Sequence, residues 1–556
     1  MAALETSVLT SKHIILHAPP FWGHNKPLVA FAMVLVRARP NVILSLITTG
    51  VMYHKITDEF ETKVEKEEWE RLKSRINVID ITGPISNLVK PLSEFSPVYC
   101  ALYNESEQGI TCKSSGQTFR KLPRPAVAVV DPYAGYAFEA IRTTSQKEVP
   151  IISWVTAPIA TLLHHIGPQV LGGNGPTELE SDEGRKKIKM LLSGKLAGAD
   201  SGAGGEAEIK LFPNIQLSEL KKVTIPGAPP MYAHEFWPQL RLVPEGKMVG
   251  VGGVYMREGD GIIIVSNSVY EGETMHAMKK WFEQMGKNAY AMAPLALPNS
   301  IPEEKTDDND ENERTIRFLD SVKGKFGPQS LVYVYSSSLT NAYLLTFLAT
   351  SQISFGTFSH PPQPEKLQVL IETLISHQIP FFFSHPSPQP IATLSEDLRI
   401  LIQESGLGMT MQWCPQEMIL GHEATGWFIT HGGWNGIQES FLYKVPLIFW
   451  PISADQPMNA AQLGITHKAA FELIEVRSGE QGIKPLLRFQ NTGYVPTFTV
   501  DAVRKEVEGA VMKLKGEEGQ AVRANFNELC ERMWRSWDVD AECGMDLDQF
   551  LKKFVD

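Results

Sequence analysis

Apolar runs of strand length recur through the first half of the chain, at 13–18, 42–47, 76–81, 126–130, 151–155 and 262–265. Between them the apolar spacing changes to a helical period, and this alternation predicts a doubly wound α/β layer. The first helix is expected over 28–37, with Pro27 in its first turn, where a missing N–H costs nothing. His24 then falls on the loop leaving the first strand and Asp131 at the end of the fourth, both at the carboxyl edge of one sheet. Residues 163–260 are irregular: 193–207 is rich in Gly, Ala and Ser and reads as a surface loop. Met231, Tyr232, Phe236 and Trp237 either line an apolar cleft or pack the domain. The charged run 303–314 reads as an exposed connection. Beyond it come strands at 332–334, 381–384, 409–412, 427–430 and 446–450, and helices at 367–376, 500–514, 521–537 and 547–554. The expected division is a first domain over 1–270, a linker over 271–315, a second domain over 316–530 and a tail over 531–556.

Candidate chemistry concentrates between Trp413 and Gln456. An aromatic and an amide at the spacing of Trp413 and Gln416 suit stacking on a flat heterocycle while hydrogen-bonding its edge. The strand at 427–430 breaks at His431-Gly432-Gly433-Trp434-Asn435-Gly436 and runs into a helix with Ile437, Phe441 and Leu442 on one face. Glycines leading into a helix N-terminus can hold a diphosphate without an ion pair, through unpaired N–H groups and the helix dipole. Lys444 lies at the far end of that helix. Glu439, one turn beyond Asn435 on the same face, can accept two vicinal hydroxyls such as those of a ribose. The next strand delivers Asp455 and Gln456 to the crevice at the carboxyl ends of the sheet, where they can read sugar hydroxyls. In the first half, His24 can act as a general base with Asp131 fixing its tautomer. Thr156, just after the fifth strand, is a further candidate contact with donor or acceptor.

The stretch from Trp413 to Gln456 resembles the donor-binding signature of the plant-type UDP-glycosyltransferases, family-1 enzymes of the GT-B fold. Gly23-His24 followed by Pro27, and Val129-Val130-Asp131, are similar to that family's catalytic histidine and aspartate motifs. The resemblance implies two facing Rossmann-like domains with parallel sheets and a C-terminal helix crossing back to the first. It also implies Trp413 and Gln416 on uracil and Glu439 on ribose. His431, Asn435 and the backbone of Gly436 would hold the diphosphate, and Trp434, Asp455 and Gln456 the sugar, with His24 and Asp131 as base and orienting carboxylate. Thr357, in the Ser-Phe-Gly-Thr loop, would approach the diphosphate. Two positions depart from the pattern: Gly432 stands where Cys is usual and Gly436 where Ser is common.

Composition narrows the picture. A chain of 556 residues, 43% hydrophobic, can build two domains with a core each. A net charge of −11 argues against nucleic acid or an anionic membrane as partner. The five cysteines (Cys100, Cys112, Cys414, Cys530, Cys543) have no metal-ligand spacing, and the first residues lack a signal-peptide layout. A cytoplasmic monomer is expected. Three Asp-x-Asp triplets, at 308–310, 538–540 and 546–548, read as solvated surface, so neither metal nor cofactor is expected and the UDP-sugar is a co-substrate.

Residues 331–353 carry no charge over 23 positions, which raises a membrane span, but their Ser, Thr, Asn and Gln content and lack of basic flanks weigh against it. In the family the strand runs directly into Ser-Phe-Gly-Thr. Here 332–334 would join Ser354-Phe355-Gly356-Thr357 if 335–353 were absent, so this reads as an insertion of 19 residues, native or a retained intron. The function expected is an inverting, metal-independent transfer of a sugar from UDP to a small lipophilic hydroxyl compound such as a terpenoid, sterol, phenol or polyketide. By the same resemblance, a Gln at position 456 implies glucose as the sugar, with xylose second. The alternative is a nucleotide-sugar-binding homologue impaired by the insertion. A nicotinamide oxidoreductase is disfavoured, because 18–24 contains a single glycine where G-x-G-x-x-G would stand.

Overall fold

The computed structural model describes residues 11–83, 90–192, 221–239, 245–298, 309–335, 363–384, 394–411 and 414–556. The apolar runs of the first half become parallel strands β1 (Lys12–His17), β2 (Val42–Thr48), β3 (Ile76–Asp80), β4 (Pro125–Val130), β5 (Ile151–Val155), β6 (Gly261–Ile264) and β7 (Asn288–Ala291). Their order is β7-β6-β5-β4-β1-β2-β3. The second half repeats the plan with β8 (Leu331–Tyr335), β9 (Phe381–Ser384), β10 (Gly408–Met411), β11 (Thr425–Thr430), β12 (Leu447–Phe449) and β13 (Ala470–Glu472), ordered β10-β9-β8-β11-β12-β13. In each sheet the chain winds outward from a central pair, β1/β4 and β8/β11. Strand order reverses there, and the loops leaving the two strands part to open a crevice. This is the GT-B plan of two Rossmann-like sheets.

The helices that shape the crevice are α1 (Trp22–Ala38), α2 (Gly50–Lys63), α3 (Ile159–Ile166), α4 (Ser268–Gln284), α5 (Trp434–Tyr443), α6 (Glu517–Arg535) and α7 (Glu542–Phe554). Helix α1 buries Leu28, Val29, Phe31, Ala32, Met33, Leu35 and Val36, which leaves it almost no polar face. Such a helix must be covered on both sides. One side is the first sheet, where Phe31 stacks on Trp154 of β5 at 5.2 Å; the other is α7, whose Phe550 lies 6.3 Å from Phe31. Helix α7 thus follows the second sheet in sequence and packs on the first.

The chain passes from the first sheet to the second after β7 and returns between α6 and α7. These two crossings are tied together. Ala293 O accepts from Ser536 Oγ at 2.9 Å and from Asn267 Nδ2 at 2.8 Å, Asn267 Nδ2 also reaches Ser536 Oγ at 3.0 Å, and Trp537 Nε1 donates to Pro294 O at 2.9 Å.

Several expectations need correction. Helix α1 begins at Trp22 rather than 28, so His24 stands in its first turn and Pro27 inside it. The stretch read as a linker from 271 contains most of α4 and the edge strand β7, whose Asn-Ala-Tyr-Ala is too short and too mixed to register as a strand. Within the charged run, Asn309 opens a helix to Phe326. Of the two readings given for Met231, Tyr232, Phe236 and Trp237, the packing one agrees with the structure: all four are buried, and Met231, Phe236 and Trp237 share a cluster with Val155, Ile159 and Met458. Asp546 is not solvated surface: its carboxylate accepts Ala291 N of β7 at 2.7 Å and pairs with Lys279 at 2.8 Å. The loop 193–207 and the inserted 336–353 lie outside the described residues. Among the described residues no helix is long and apolar enough to cross a membrane.

Candidate active site

Parallel pairing of β1 with β4 holds His17 opposite Val130, so the segments leaving the two strands emerge side by side. Asp131 N extends the ladder by one bond, to His17 O at 3.0 Å. From there the Asp131 carboxylate accepts Tyr133 N at 2.9 Å on one oxygen and His24 Nδ1 at 2.6 Å on the other. Both side chains are buried, at 8% and 1% exposure, so water does not compete for this bond. With Nδ1–H donated to the carboxylate, the lone pair of the neutral ring lies on Nε2. The backbone under His24 is held from several directions: Asn25 Nδ2 donates to Pro19 O at 2.7 Å and to Phe21 O at 2.8 Å, and Trp154 Nε1 donates to His24 O at 3.3 Å. The rings of Phe21 and Tyr133 each lie 5.9 Å from the imidazole.

Across the crevice, β11 runs through glycines into α5. Gly432 has φ +89°, and a side chain there would bring its Cβ within 2.5 Å of the Phe449 ring, which is why the cysteine usual at this position would be strained. A Cβ on Gly433 would lie 2.7 Å from His431 Nε2, so only glycine lets that imidazole lie over the helix start. Burial pushes the His431 ring down to about 4, which keeps it neutral, and its Nδ1 is buried without a hydrogen-bond partner. The first-turn N–H groups of α5 have no acceptor within the helix. Asn435 Nδ2 donates to Gly23 O in the first turn of α1 at 3.1 Å. That carbonyl would ordinarily bond the N–H four residues on, but residue 27 is a proline, so the defect in α1 supplies the acceptor for the facing helix.

The sugar-side candidates divide. Trp434 turns its indole into the domain contact, donating to Val265 O at 2.6 Å and lying 4.7 Å from the Tyr270 ring. Asp455 faces the crevice. Burial pushes its carboxyl up to about 6, against the pull of the hydrogen bonds it accepts, those from Asn459 and the Trp434 backbone N–H among them. Gln456 Oε1 braces the preceding loop by accepting Ile452 N at 2.8 Å and Ser453 N at 3.0 Å. Thr156 follows β5 directly, ahead of α3, whose Ile159 and Ala160 N–H groups are each capped by the buried Glu271 carboxylate at 2.7 Å. Trp413 and Thr357 lie outside the described residues.

Glu439 stands where the helix pattern put it, and here the structure adds residues that the sequence did not reveal. Gln416 Nε2 donates to one of its oxygens and the ammonium of Lys26, from α1, to the other. Lys26 also reaches Glu417 Oε1 at 2.5 Å, and Lys63 of α2 reaches Glu417 Oε2 at 2.8 Å. Burial alone would lower Lys26, but Glu439, Glu417 and Glu59 outweigh it and hold the ammonium charged, well above its ordinary range. An open surface hollow lined by Leu171, Pro226, Glu273, His276, Lys280 and Trp281 contains none of these residues.

The family model described as "UDP-glucoronosyl and UDP-glucosyl transferase" matches residues 350–483. A UDP-glycosyltransferase, eriJ, of Hericium erinaceus is 25% identical over 558 residues, spanning 97% of this chain and 99% of its own. UDP-glucose flavonoid 3-O-glucosyltransferase 7 of Fragaria ananassa is 27% identical over 53% of this chain and 55% of its own. In fold, the chain superposes on a UGT transferase of Siraitia grosvenorii in complex with UDP (TM-score 0.62, 18% identity, 98% of this chain and 100% of that one). It also superposes on Medicago truncatula UGT71G1 complexed with UDP-glucose (TM-score 0.59, 17% identity, 98% of each chain). The family match over 350–483, the full-length likeness to eriJ and the shared two-sheet fold together make the chain similar to the UDP-glycosyltransferases.

Proposed function

We propose that the protein transfers a sugar from UDP to the hydroxyl of a small lipophilic acceptor, with inversion at the anomeric carbon. The observation that carries this reading is the buried 2.6 Å bond between His24 and Asp131, which leaves the imidazole as a base facing the glycine-led start of α5. The acceptor hydroxyl gives its proton to His24 Nε2 while its oxygen attacks the anomeric carbon, and Asp131 stabilises the imidazolium that forms. The bond to UDP breaks on the opposite face of the sugar, where His431, Asn435 and the N–H groups of α5 receive the charge developing on the diphosphate. Because base and leaving group belong to facing domains, attack comes from behind and inverts the centre. The nucleotide is assigned to Trp413, Gln416 and Glu439, and the sugar hydroxyls to Asp455 and Gln456.

Glucose is the preferred donor sugar and xylose the second. The Fragaria ananassa relative is named as a UDP-glucose flavonoid glucosyltransferase, which agrees with that order and with a lipophilic phenol or related alcohol as acceptor. The reaction is assigned to the protein's own donors, without metal. The test is to incubate the purified protein with UDP-glucose or UDP-xylose, a panel of hydroxylated apolar compounds and a chelator, following UDP release and the configuration of the product. Inverted glycoside at undiminished rate in chelator is expected. A retained configuration refutes the mechanism, and UDP binding without transfer to any acceptor favours the impaired binding homologue.

A further inference from the structure

Lys26 sits two residues beyond His24 on α1 of the first domain, yet the partners of its ammonium are largely in the second. It is hydrogen-bonded to Glu439 and Glu417, with Glu59 of α2 at 4.0 Å, and its side chain is 13% exposed. Removing an ammonium from water is expensive unless its partners match it closely. Here the match is elaborate. Glu417 is fixed independently by Lys63 at 2.8 Å and by Tyr443 OH at 3.2 Å, so Lys26 has an anchor that does not depend on Glu439. Gln416, on the other side of Glu439, is held by Tyr333 OH at 3.3 Å.

A carboxylate offers about four lone-pair positions, two on each oxygen. At Glu439 one oxygen takes Lys26 and the other takes Gln416, which among the described residues leaves one position open on each. Two vicinal hydroxyls, 2′ and 3′ of a ribose, need that pattern of one acceptor per oxygen. We propose that Lys26 is a positioning residue for the donor. It clamps Glu439 from the opposite domain so that the carboxylate presents one open lone pair per oxygen to the ribose. The inference rests on the assignment of Glu439 to the ribose. It adds that ribose recognition requires α1 to be docked on the donor domain, and α1 is the helix that carries His24. Reading of the nucleotide and placement of the base are therefore one event.

The test compares UDP with 2′,3′-dideoxy-UDP by titration calorimetry on the full chain. Lys26→Met is expected to weaken UDP about tenfold, the scale of a lost charged hydrogen bond, and to leave dideoxy-UDP binding as it is in the parent. Lys26→Arg should restore most of the preference for UDP, and Lys26→Met should add no further loss for UDP in a Glu439→Gln background. Equal weakening of both nucleotides marks a structural role and overturns the proposal. If Glu439→Gln abolishes the preference for UDP while Lys26→Met retains it, the clamp is wrong and the ribose assignment stands. If Glu439→Gln retains the preference, the ribose assignment itself fails. Should Lys26→Met not fold, the same comparison with Lys26→Gln decides: loss of the preference supports the clamp and its retention overturns it.

Discussion

Asp455 provides a test in which stability and activity move in opposite directions. The residue is 9% exposed, and burial of its carboxyl outweighs the hydrogen bonding that favours the ionised form. An acid at about 6 in the fold and about 3.9 in the unfolded chain corresponds to about 3 kcal/mol. The folded state holds the proton more tightly, so this group favours folding most when protonated. Its contribution falls as pH rises from about 4 to about 6 and is level above that. Asp455→Asn removes the titration while keeping a carbonyl to accept from Asn459 Nδ2, now 2.9 Å from the carboxylate. The variant should therefore melt several degrees higher than the parent at pH 7.5, with the advantage shrinking towards pH 4, as read by scanning fluorimetry across that range. At the same time it should lose an acceptor for the sugar hydroxyls, lowering kcat/KM about tenfold or more while UDP binds as before. A variant that melts lower at pH 7.5, or by the same offset at pH 4 and 7.5, refutes the argument that this carboxylate is held ionised against its surroundings for function.

The base and the anion site can be tested in the same way. His24→Ala should lower kcat by about two orders of magnitude or more with UDP affinity unchanged. Asp131→Asn should cost at least as much, because an amide facing Nδ1 selects the tautomer with its proton on Nε2; near-normal turnover in either variant removes the pair from the mechanism. Gly436→Ser should be accommodated, since a Cβ there meets nothing nearer than the Phe428 ring at 3.7 Å. Its hydroxyl adds a donor beside the first turn of α5, and calorimetry should show UDP binding about tenfold tighter. Unchanged or weaker binding would place the diphosphate elsewhere.

The crevice was legible in the sequence because its parts are local. A strand, its glycines and the helix they feed are contiguous, so Asn435 and Glu439 can be placed on one face from spacing alone. His24 and Asp131 are distant in sequence, but each ends an apolar run, and parallel pairing of those runs brings them together. Lys26 carries no such signal. Its acceptors lie 391 and 413 residues away, and in a helical pattern it is one more polar residue after a histidine. The helix start was misplaced because Pro27 suits a first turn, whereas here it interrupts a helix whose unpaired Gly23 carbonyl is satisfied from the other domain. Trp434 was assigned to the sugar by resemblance, and its indole instead bonds Val265, because a large ring at the base of α5 is more easily buried against Tyr270 than left in the crevice. Asp546 looked like part of a cheap acidic pattern and proves to cap an edge strand too short to announce itself.

The knot of hydrogen bonds joining Ala293 and Pro294 to Ser536 and Trp537 has a mechanical meaning. Two chain passages fastened side by side act as a single pin joining the halves. About that pin, α1 and α5 are the jaws. One jaw carries His24 and Lys26, the other Asn435 and Glu439, and no covalent link joins them except through the pin. Gly23 is bonded to Asn435 and Lys26 to Glu439, so any parting of α1 from α5 breaks both contacts at once, and base, clamp and anion site engage and disengage as one part.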